Sequence, residues 1–145
     1  MNDPALIDRI LTTARTIAVV GMSDKTHRDS YHVGQYLATQ GYRILPVNPS
    51  VQAIDGRVSH PDLAAAQAAV HQEFGAGIDV VDVFRASPHV PQIVDEVIRL
   101  GIPYLWLQDG VMHPEAVERA RAAGVQCVVN DCMLRQHRVR RFAAK

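Results

Sequence analysis

The residues best suited to binding an anion follow a continuous apolar run at 17–20. Such a run is typical of a strand that is covered on both faces. Gly21 then allows a tight turn and the close approach of a ligand, while Ser23 and Lys25 add a hydroxyl and a positive charge. The helical pattern that starts at Ser30 should direct unpaired N–H groups toward this loop. We therefore predict a cradle for a phosphate group or a nucleotide.

Polar side chains also follow the later apolar runs of the chain. These runs, at 42–47, 78–84, 103–107 and 125–129, predict four further strands. In an open parallel sheet the carboxyl ends of the strands line the crevice where ligands bind, so the polar residues after them should converge. The expected set is Ser23, Asn48, Arg85, Ser87, Gln108 and Asn130.

The alternation of strands and helices predicts the fold class. Helical patterns of about 10 to 14 residues separate the predicted strands, which favours right-handed βαβ crossovers and a parallel sheet. We expect a doubly wound α/β fold with a five-stranded parallel sheet, helices on both faces and the strand order 3-2-1-4-5. No linker or repeat divides the chain, so residues 1–145 are expected to form one domain.

The charge balance argues against several classes of partner. The 145 residues include 15 basic and 15 acidic side chains, so we expect no binding of nucleic acid and none of a membrane surface. No apolar run is long enough to span a membrane and no signal peptide is evident, which predicts a cytoplasmic protein with reduced cysteines. The arginine-rich tail at 135–141 is the exception. An interaction module that acts through this tail remains an alternative, although no protein partner is indicated.

Neither a metal site nor a catalytic group is indicated by the sequence. The seven histidines are scattered along the chain without the spacing of a ligand set. Cys132 should lie at the same end as the cradle, as a buried structural thiol or a reactive one, and the buried thiol is favoured. Trp106 alternates with its strand neighbours and is expected in the core.

The segments that would identify a dinucleotide or a hydrolysed nucleotide are incomplete. A dinucleotide fingerprint has three spaced glycines after the first strand and an acid at the end of the second. Here Gly21 stands alone, and the second strand ends in Val47-Asn48-Pro49 without an acid. NAD in its usual pose is therefore disfavoured, although an NAD(P)-dependent oxidoreductase remains an alternative. The Walker pattern is also missing, so nucleotide hydrolysis has no support.

Five segments, in their order and spacing, resemble the small single-domain CoA-binding proteins. The segments are Val20-Gly21-Met22-Ser23, Gly41-Tyr42-Arg43-Ile44-Leu45-Pro46-Val47-Asn48-Pro49, Val81-Asp82-Val83-Phe84-Arg85, Trp106-Leu107-Gln108 and Asp131-Cys132. These proteins are similar to the CoA-binding domain of the succinyl-CoA synthetase alpha subunit. The resemblance covers about residues 3 to 140. It implies a Rossmann-like fold that binds coenzyme A (CoA) or an acyl-CoA, usually with no established reaction.

The resemblance also implies where each part of CoA would bind. The phosphates would meet Gly21, Met22, Ser23 and Asp24; the adenosine side would meet Asn48 and Pro49, bordered by Phe84, Arg85 and Ser87; the pantetheine would lie toward Gln108 and Gly110. From their charge, Lys25 and Arg28 are further candidates for phosphate contact. The chain departs from the family at Asp131, where such proteins commonly carry arginine before the last cysteine.

Overall fold

The apolar runs of the sequence form the strands of the sheet. The computed structural model describes residues 2–145. The helices are α1 Pro4–Thr13, α2 Asp29–Thr39, α3 Leu63–Phe74, α4 Val90–Leu100, α5 Pro114–Ala122 and α6 Met133–Arg140. The strands are β1 Thr16–Val20, β2 Arg43–Val47, β3 Ala53–Ile54, β4 Arg57–Val58, β5 Val80–Val83, β6 Tyr104–Leu107 and β7 Gln126–Val128.

Five of these strands form a sheet with the order β2-β1-β5-β6-β7, and every neighbouring pair is parallel. All five residues of β1 are buried, as expected for a strand with a partner on each side. The predicted α/β fold with a five-stranded parallel sheet is therefore confirmed. The predicted strand order 3-2-1-4-5 is wrong. The order along the sheet is 2-1-3-4-5, because β5, the third of these strands in the chain, pairs with β1 and not with β2.

The distribution of helices explains this order. The buried side chains of α3, α4 and α5 belong to one core, whereas those of α1, α2 and α6 belong to the core on the opposite face. Right-handed crossovers that run in the same direction along a sheet place their helices on the same face. Because α2 and α3 lie on opposite faces, the connection through α3 must run back past β1. The predicted order would have required both helices on one face.

A small antiparallel hairpin, β3–β4, lies between β2 and α3 in the chain. Asp55 and Gly56 at its turn have φ values of 51° and 80°, the geometry of a two-residue turn. The Tyr31 hydroxyl of α2 donates to Oδ2 of Asp55 at 2.5 Å, which ties the hairpin to α2.

The helices are short in the part of the chain that the structure describes. The longest is α3, with 12 residues. No helix within residues 2–145 has the length and apolar composition needed to cross a membrane.

The arginine-rich tail forms α6, which packs on the sheet. Met133 and His137 of α6 are buried, and the His137 ring contacts three aromatic rings, those of Tyr36, Tyr42 and Phe142. Nδ1 of His137 shares a hydrogen bond of 2.8 Å with the Tyr36 hydroxyl. The tail is therefore a structural helix and not a free basic arm.

Candidate functional site

The candidate site lies at the carboxyl ends of β1 and β5, where the chain reverses its direction along the sheet. In open α/β sheets this switch point is the usual place for a ligand. Gly21 follows β1 and Phe84 follows β5, and the two strands are adjacent. Gly21 and Phe84 are the first residues of two loops that were predicted to contact a ligand, and they therefore lie side by side.

A cavity of about 460 Å³, here called the loop cavity, opens at this point. Its lining is Gly21, Ser23, Lys25, His27, Arg28, Asp29, Ser30 and Phe84. Five of these residues, Gly21, Ser23, Lys25, Arg28 and Phe84, were predicted as ligand contacts. The lining combines two exposed cations and the first turn of α2 with a single carboxylate, that of Asp29, so the cavity is suited to an anion.

Gly21 is required by the geometry of the loop. Its φ is +85°, a conformation that favours glycine, and its N–H donates to the Val47 carbonyl at 2.8 Å. A Cβ atom at this position would lie 3.1 Å from the Phe84 carbonyl oxygen and 3.0 Å from Cδ of Arg85. The loop after β1 can therefore approach the end of β5 only with glycine here.

Two serines fix the shape of the loop cavity. The Ser23 N–H donates to Oγ of Ser30 at 2.9 Å, which joins the loop to the first turn of α2. Oγ of Ser23 accepts from the Lys25 N–H at 3.0 Å. Since this bond uses only an acceptor site of the hydroxyl, the Ser23 O–H can still donate to a ligand oxygen.

A second cavity of about 430 Å³ adjoins the loop cavity, because Asp29 and Phe84 line both. The lining of the second cavity is Asp29, His32, Val33, Phe84, Gln108, Asp109, Val111, Cys132 and Leu134. Five of these nine side chains are apolar or weakly polar, so the second cavity suits an uncharged chain better than a phosphate. Gln108 is the member for which the family resemblance implies a place toward the pantetheine.

A third and smaller cavity, of about 190 Å³, lies beside Pro49 and Arg85. Nη2 of Arg85 lies 3.3 Å from Nε2 of His89. The carboxylates of Asp62 and Glu96 also line this cavity, which makes it a poor place for a phosphate. It lies next to the end of β2, where the family resemblance implies the adenosine side.

The remaining predicted contacts lie outside these three linings. The Met22 side chain is buried, and a Cβ on Gly34 would lie 2.5 Å from its Cε, so Met22 fills the space under α2. Asp24 is exposed. Oγ of Ser87 accepts from the Met112 N–H at 3.0 Å. The Gly110 N–H donates to Oδ1 of Asn130 at 2.7 Å.

Asn48 has a structural role in the loop after β2. Its Oδ1 accepts from the Ser50 N–H at 2.9 Å, which forms an Asx turn. Its Nδ2 donates to the Met22 carbonyl at 2.9 Å, so Asn48 also holds the loop after β1 in place.

Several lining residues were not predicted from the sequence. They are His27, Asp29, His32, Val33, Asp109, Val111 and Leu134. The spacing of Asp29, His32 and Val33 is a usable signal, because positions i, i+3 and i+4 share one face of a helix. No comparable signal marks Leu134, which α6 brings to the cavity from the far end of the chain.

Charges around the second cavity are partly neutralised within the protein. Nη1 and Nη2 of Arg135 donate to the two carboxylate oxygens of Asp109 at 2.8 and 2.9 Å. These bonds lower the pKa of the Asp109 carboxyl. Deeper in the sheet, burial raises the pKa of Asp82 to about 7, opposed by a hydrogen bond from Gln108.

Cys132 should react slowly with thiol reagents at neutral pH. Burial raises the pKa of this half-buried thiol, so little reactive thiolate is present. Burial raises the pKa of Cys127 to about 11. We expect iodoacetamide to label the folded Cys127→Ser protein several-fold more slowly than the same protein in urea, about fivefold or more at pH 7.5, as measured by intact mass. Equal rates in the two states would contradict this assignment.

Comparisons with known proteins identify the family of this chain and relatives that share its fold. Residues 15–138 match the protein family described as CoA binding domain. The chain is 32% identical over 141 residues to uncharacterized protein YneT of Bacillus subtilis (strain 168), covering 96% of this chain and 98% of that protein. A solved hypothetical protein from Pyrococcus horikoshii OT3 is 33% identical, with a TM-score of 0.84 over 95% of this chain and 92% of that chain. A dinucleotide forming acetyl-coenzyme A synthetase 1 from Ca. Korarchaeum cryptofilum shares the fold, with 19% identity and a TM-score of 0.66 over 84% of this chain and 27% of that chain.

The family match contains the whole candidate site. It begins before β1 and ends within α6, so it includes every residue that lines the loop cavity and the second cavity. The resemblance inferred from the five segments is confirmed by this match. The chain belongs to the CoA binding domain family.

Proposed function

We propose that this protein binds CoA or an acyl-CoA at the carboxyl ends of its parallel strands, without catalysing a reaction. The observation that carries the proposal is that the cationic loop cavity and the more apolar second cavity adjoin at Asp29 and Phe84. CoA has the matching order of groups, because charged phosphates precede a long uncharged pantetheine arm. Membership of the CoA binding domain family supports the same ligand.

The proposal assigns a part of CoA to each cavity. The phosphates would occupy the loop cavity, where Lys25 and Arg28 supply charge and Ser23 supplies a hydroxyl. The pantetheine arm would pass Phe84 into the second cavity, toward Gln108. The adenosine side would lie near the third cavity, with Pro49 and Arg85 as its predicted contacts. Gly21 would allow the phosphates to come close to the backbone of the loop cavity.

A binding role without catalysis is supported by the state of the thiol in the second cavity. Burial raises the pKa of Cys132, so it is a weak nucleophile at neutral pH. The extent of the proposed CoA-binding domain, residues 1–145, and the cytoplasmic location expected from the sequence remain predictions.

The two alternatives from the sequence are less well supported. An NAD-dependent enzyme would use an acid at the end of β2, where Asn48 is instead engaged with Met22 and Ser50. An interaction module would need the arginines of α6 to be available. Of the three arginines of α6, Arg135 is paired with Asp109 and Arg140 with Asp8, which leaves only Arg138 without a carboxylate partner within residues 2–145.

Isothermal titration with CoA, acetyl-CoA, NAD and NADP tests the proposed function. We expect both CoA compounds to bind and to bind more tightly than either nicotinamide cofactor. Dephospho-CoA lacks one phosphate of CoA and should bind more weakly than CoA. Free pantetheine lacks all of the phosphates and should bind most weakly. Tighter binding of NAD or NADP than of CoA would contradict the proposal.

Replacement of Ser23 by alanine should weaken CoA binding by about 1 kcal/mol, or about fivefold in Kd. The change removes a hydroxyl donor from the loop cavity, together with the acceptor that holds the Lys25 N–H. Titration calorimetry measures the effect, and Thr13→Ala is the control. Oγ1 of Thr13 donates to the Arg9 carbonyl at 2.6 Å on α1, outside the three linings, so this second variant should bind as the parent does. An equal loss in both variants would remove Ser23 from the site.

A further inference from the structure

Asp82 is a buried acid that the proposed contacts with phosphate do not use. It lies in β5 between Val19 of β1 and Trp106 of β6, and it is 0% exposed. Its Oδ2 is the one buried side-chain nitrogen or oxygen within residues 2–145 that has no hydrogen-bond partner. A buried polar atom without a partner costs free energy, so its presence calls for an explanation.

Gln108 connects Asp82 to the second cavity. Its side chain lines that cavity although the residue is only 3% exposed, and its Nε2 donates to Oδ1 of Asp82 at 2.7 Å. Oε1 of Gln108 makes no hydrogen bond within residues 2–145. It must keep some exposed surface, because Oδ2 of Asp82 is the only fully buried side-chain nitrogen or oxygen in these residues that lacks a partner. Oε1 is therefore an atom of Gln108 that a ligand in the second cavity can reach.

The proton on Asp82 decides which end of the Gln108 carboxamide faces the cavity. An ionised carboxylate only accepts hydrogen bonds, so it requires the NH₂ group of Gln108 and leaves the carbonyl oxygen to the ligand. A protonated carboxyl can instead donate to that carbonyl after a half-turn of the carboxamide, which then presents NH₂ to the cavity. Because burial raises the pKa of Asp82 to about 7, both arrangements are accessible near neutral pH.

We propose that Asp82 and Gln108 act as a proton-controlled selector for the sulfur end of the bound ligand, a refinement that rests on the proposed binding of CoA. With Asp82 ionised, the Gln108 carbonyl accepts from the thiol of free CoA. With Asp82 protonated, the Gln108 NH₂ donates to the thioester carbonyl of an acyl-CoA. Gln108 contacts the ligand, and Asp82 is a positioning residue that acts through it.

Other titratable or charged groups surround the same cavity. They are Asp29 and His32 from α2, Asp109 from the loop after β6, and Cys132 and Arg135 from α6 and its start. Arg135 lowers the pKa of Asp109 and burial raises the pKa of Cys132, so both stay in one charge state between pH 6 and 8. His32 is the histidine of this lining, and its replacement by glutamine is the control for the pH series.

The ratio of two dissociation constants tests the selector. Kd for acetyl-CoA and Kd for CoA are measured by calorimetry from pH 6 to pH 8, and their ratio cancels the ionisation of the phosphates, which both ligands share. In the parent protein the ratio of the acetyl-CoA to the CoA value should rise about fivefold across this range. It should be independent of pH in Asp82→Asn, whose amide has one fixed protonation state, and should still rise in His32→Gln.

A second readout reports on the carboxamide itself. The ¹⁵N-labelled side-chain NH₂ resonance of Gln108 in the ligand-free protein should shift with pH near 7, and Asp82→Asn should remove this shift.

A ratio of dissociation constants that does not change with pH in the parent overturns the selector while leaving CoA binding intact. A pH dependence of the ratio that His32→Gln abolishes does the same. If Asp82→Asn does not fold, the selector is still tested by the pH dependence of the two dissociation constants in the parent and by that of the Gln108 resonance. Failure of both CoA compounds to bind would instead overturn the proposed function.

Discussion

The Gly21→Val protein should lose CoA binding by more than about tenfold and should unfold about 3 kcal/mol more easily than the parent. Gly21 has a φ of +85°, which a β-branched residue rarely adopts. Its new side chain would also press against the Phe84 carbonyl oxygen, 3.1 Å from the Cβ position, and backbone cannot move aside as a flexible side chain can. Both the loop and the approach of a phosphate to it should suffer. Calorimetric titration and urea denaturation measure the two effects.

Gly56→Val is the matched control for this variant. Gly56 has a similar φ of +80°, but a Cβ there would have no atom within 4 Å. We expect a loss of about 1 to 2 kcal/mol in stability, from the backbone conformation alone, and no loss of CoA binding. If Gly21→Val does not fold, Gly21→Ala replaces it and is compared with Gly56→Ala. CoA binding at parental strength in a folded Gly21 variant would remove the loop cavity from the account.

The Asp82→Asn protein should be more stable than the parent at pH 8, and this advantage should be smaller by about 3 kcal/mol at pH 5. Burial raises the pKa of the folded Asp82 from the ordinary 3.8 to about 7. Between these values the folded state holds a proton that the unfolded state has released, so the free energy of unfolding falls as the pH rises. The loss is complete above pH 7 and corresponds to about 4 kcal/mol, an upper figure for what the variant can regain.

The comparison between parent and variant isolates this one group. Asparagine keeps an oxygen that can accept from Nε2 of Gln108, so the hydrogen bond need not be lost. His137 acts in the opposite direction, since burial lowers its pKa and acid therefore destabilises the fold, but it contributes equally to both proteins. Urea denaturation at pH 5 and pH 8 measures the difference. A stability difference that is the same at both pH values would mean that Asp82 does not titrate in this range.

The sheet and the loop after β1 could be predicted because their signals are local. An apolar run followed by Gly21 needs only neighbouring residues to specify a buried strand and a turn. Trp106, expected in the core, is fully buried, and its Nε1 donates to the Asp131 carbonyl at 2.9 Å. The family resemblance rested on such local segments as well, and it is confirmed.

The strand order and the second cavity could not be predicted because their causes are not local. Both strand orders satisfy the right-handed rule, and the choice between them depends on which face α3 covers, a property of the whole core. The second cavity joins Val33 of α2 to Leu134 of α6, which are separated by most of the chain. Asp82 stood in the sequence as a polar residue within an apolar strand, and only the structure shows that one of its oxygens has no partner.

A crystal structure of the protein with CoA tests the central claim most directly. The account predicts phosphate oxygens within hydrogen-bond distance of Ser23 and the first turn of α2, and the pantetheine arm passing Phe84 so that its sulfur end lies beside Gln108. CoA bound in the cavity of about 1010 Å³ beside α1 and α5, with the loop cavity empty of phosphate, would contradict it.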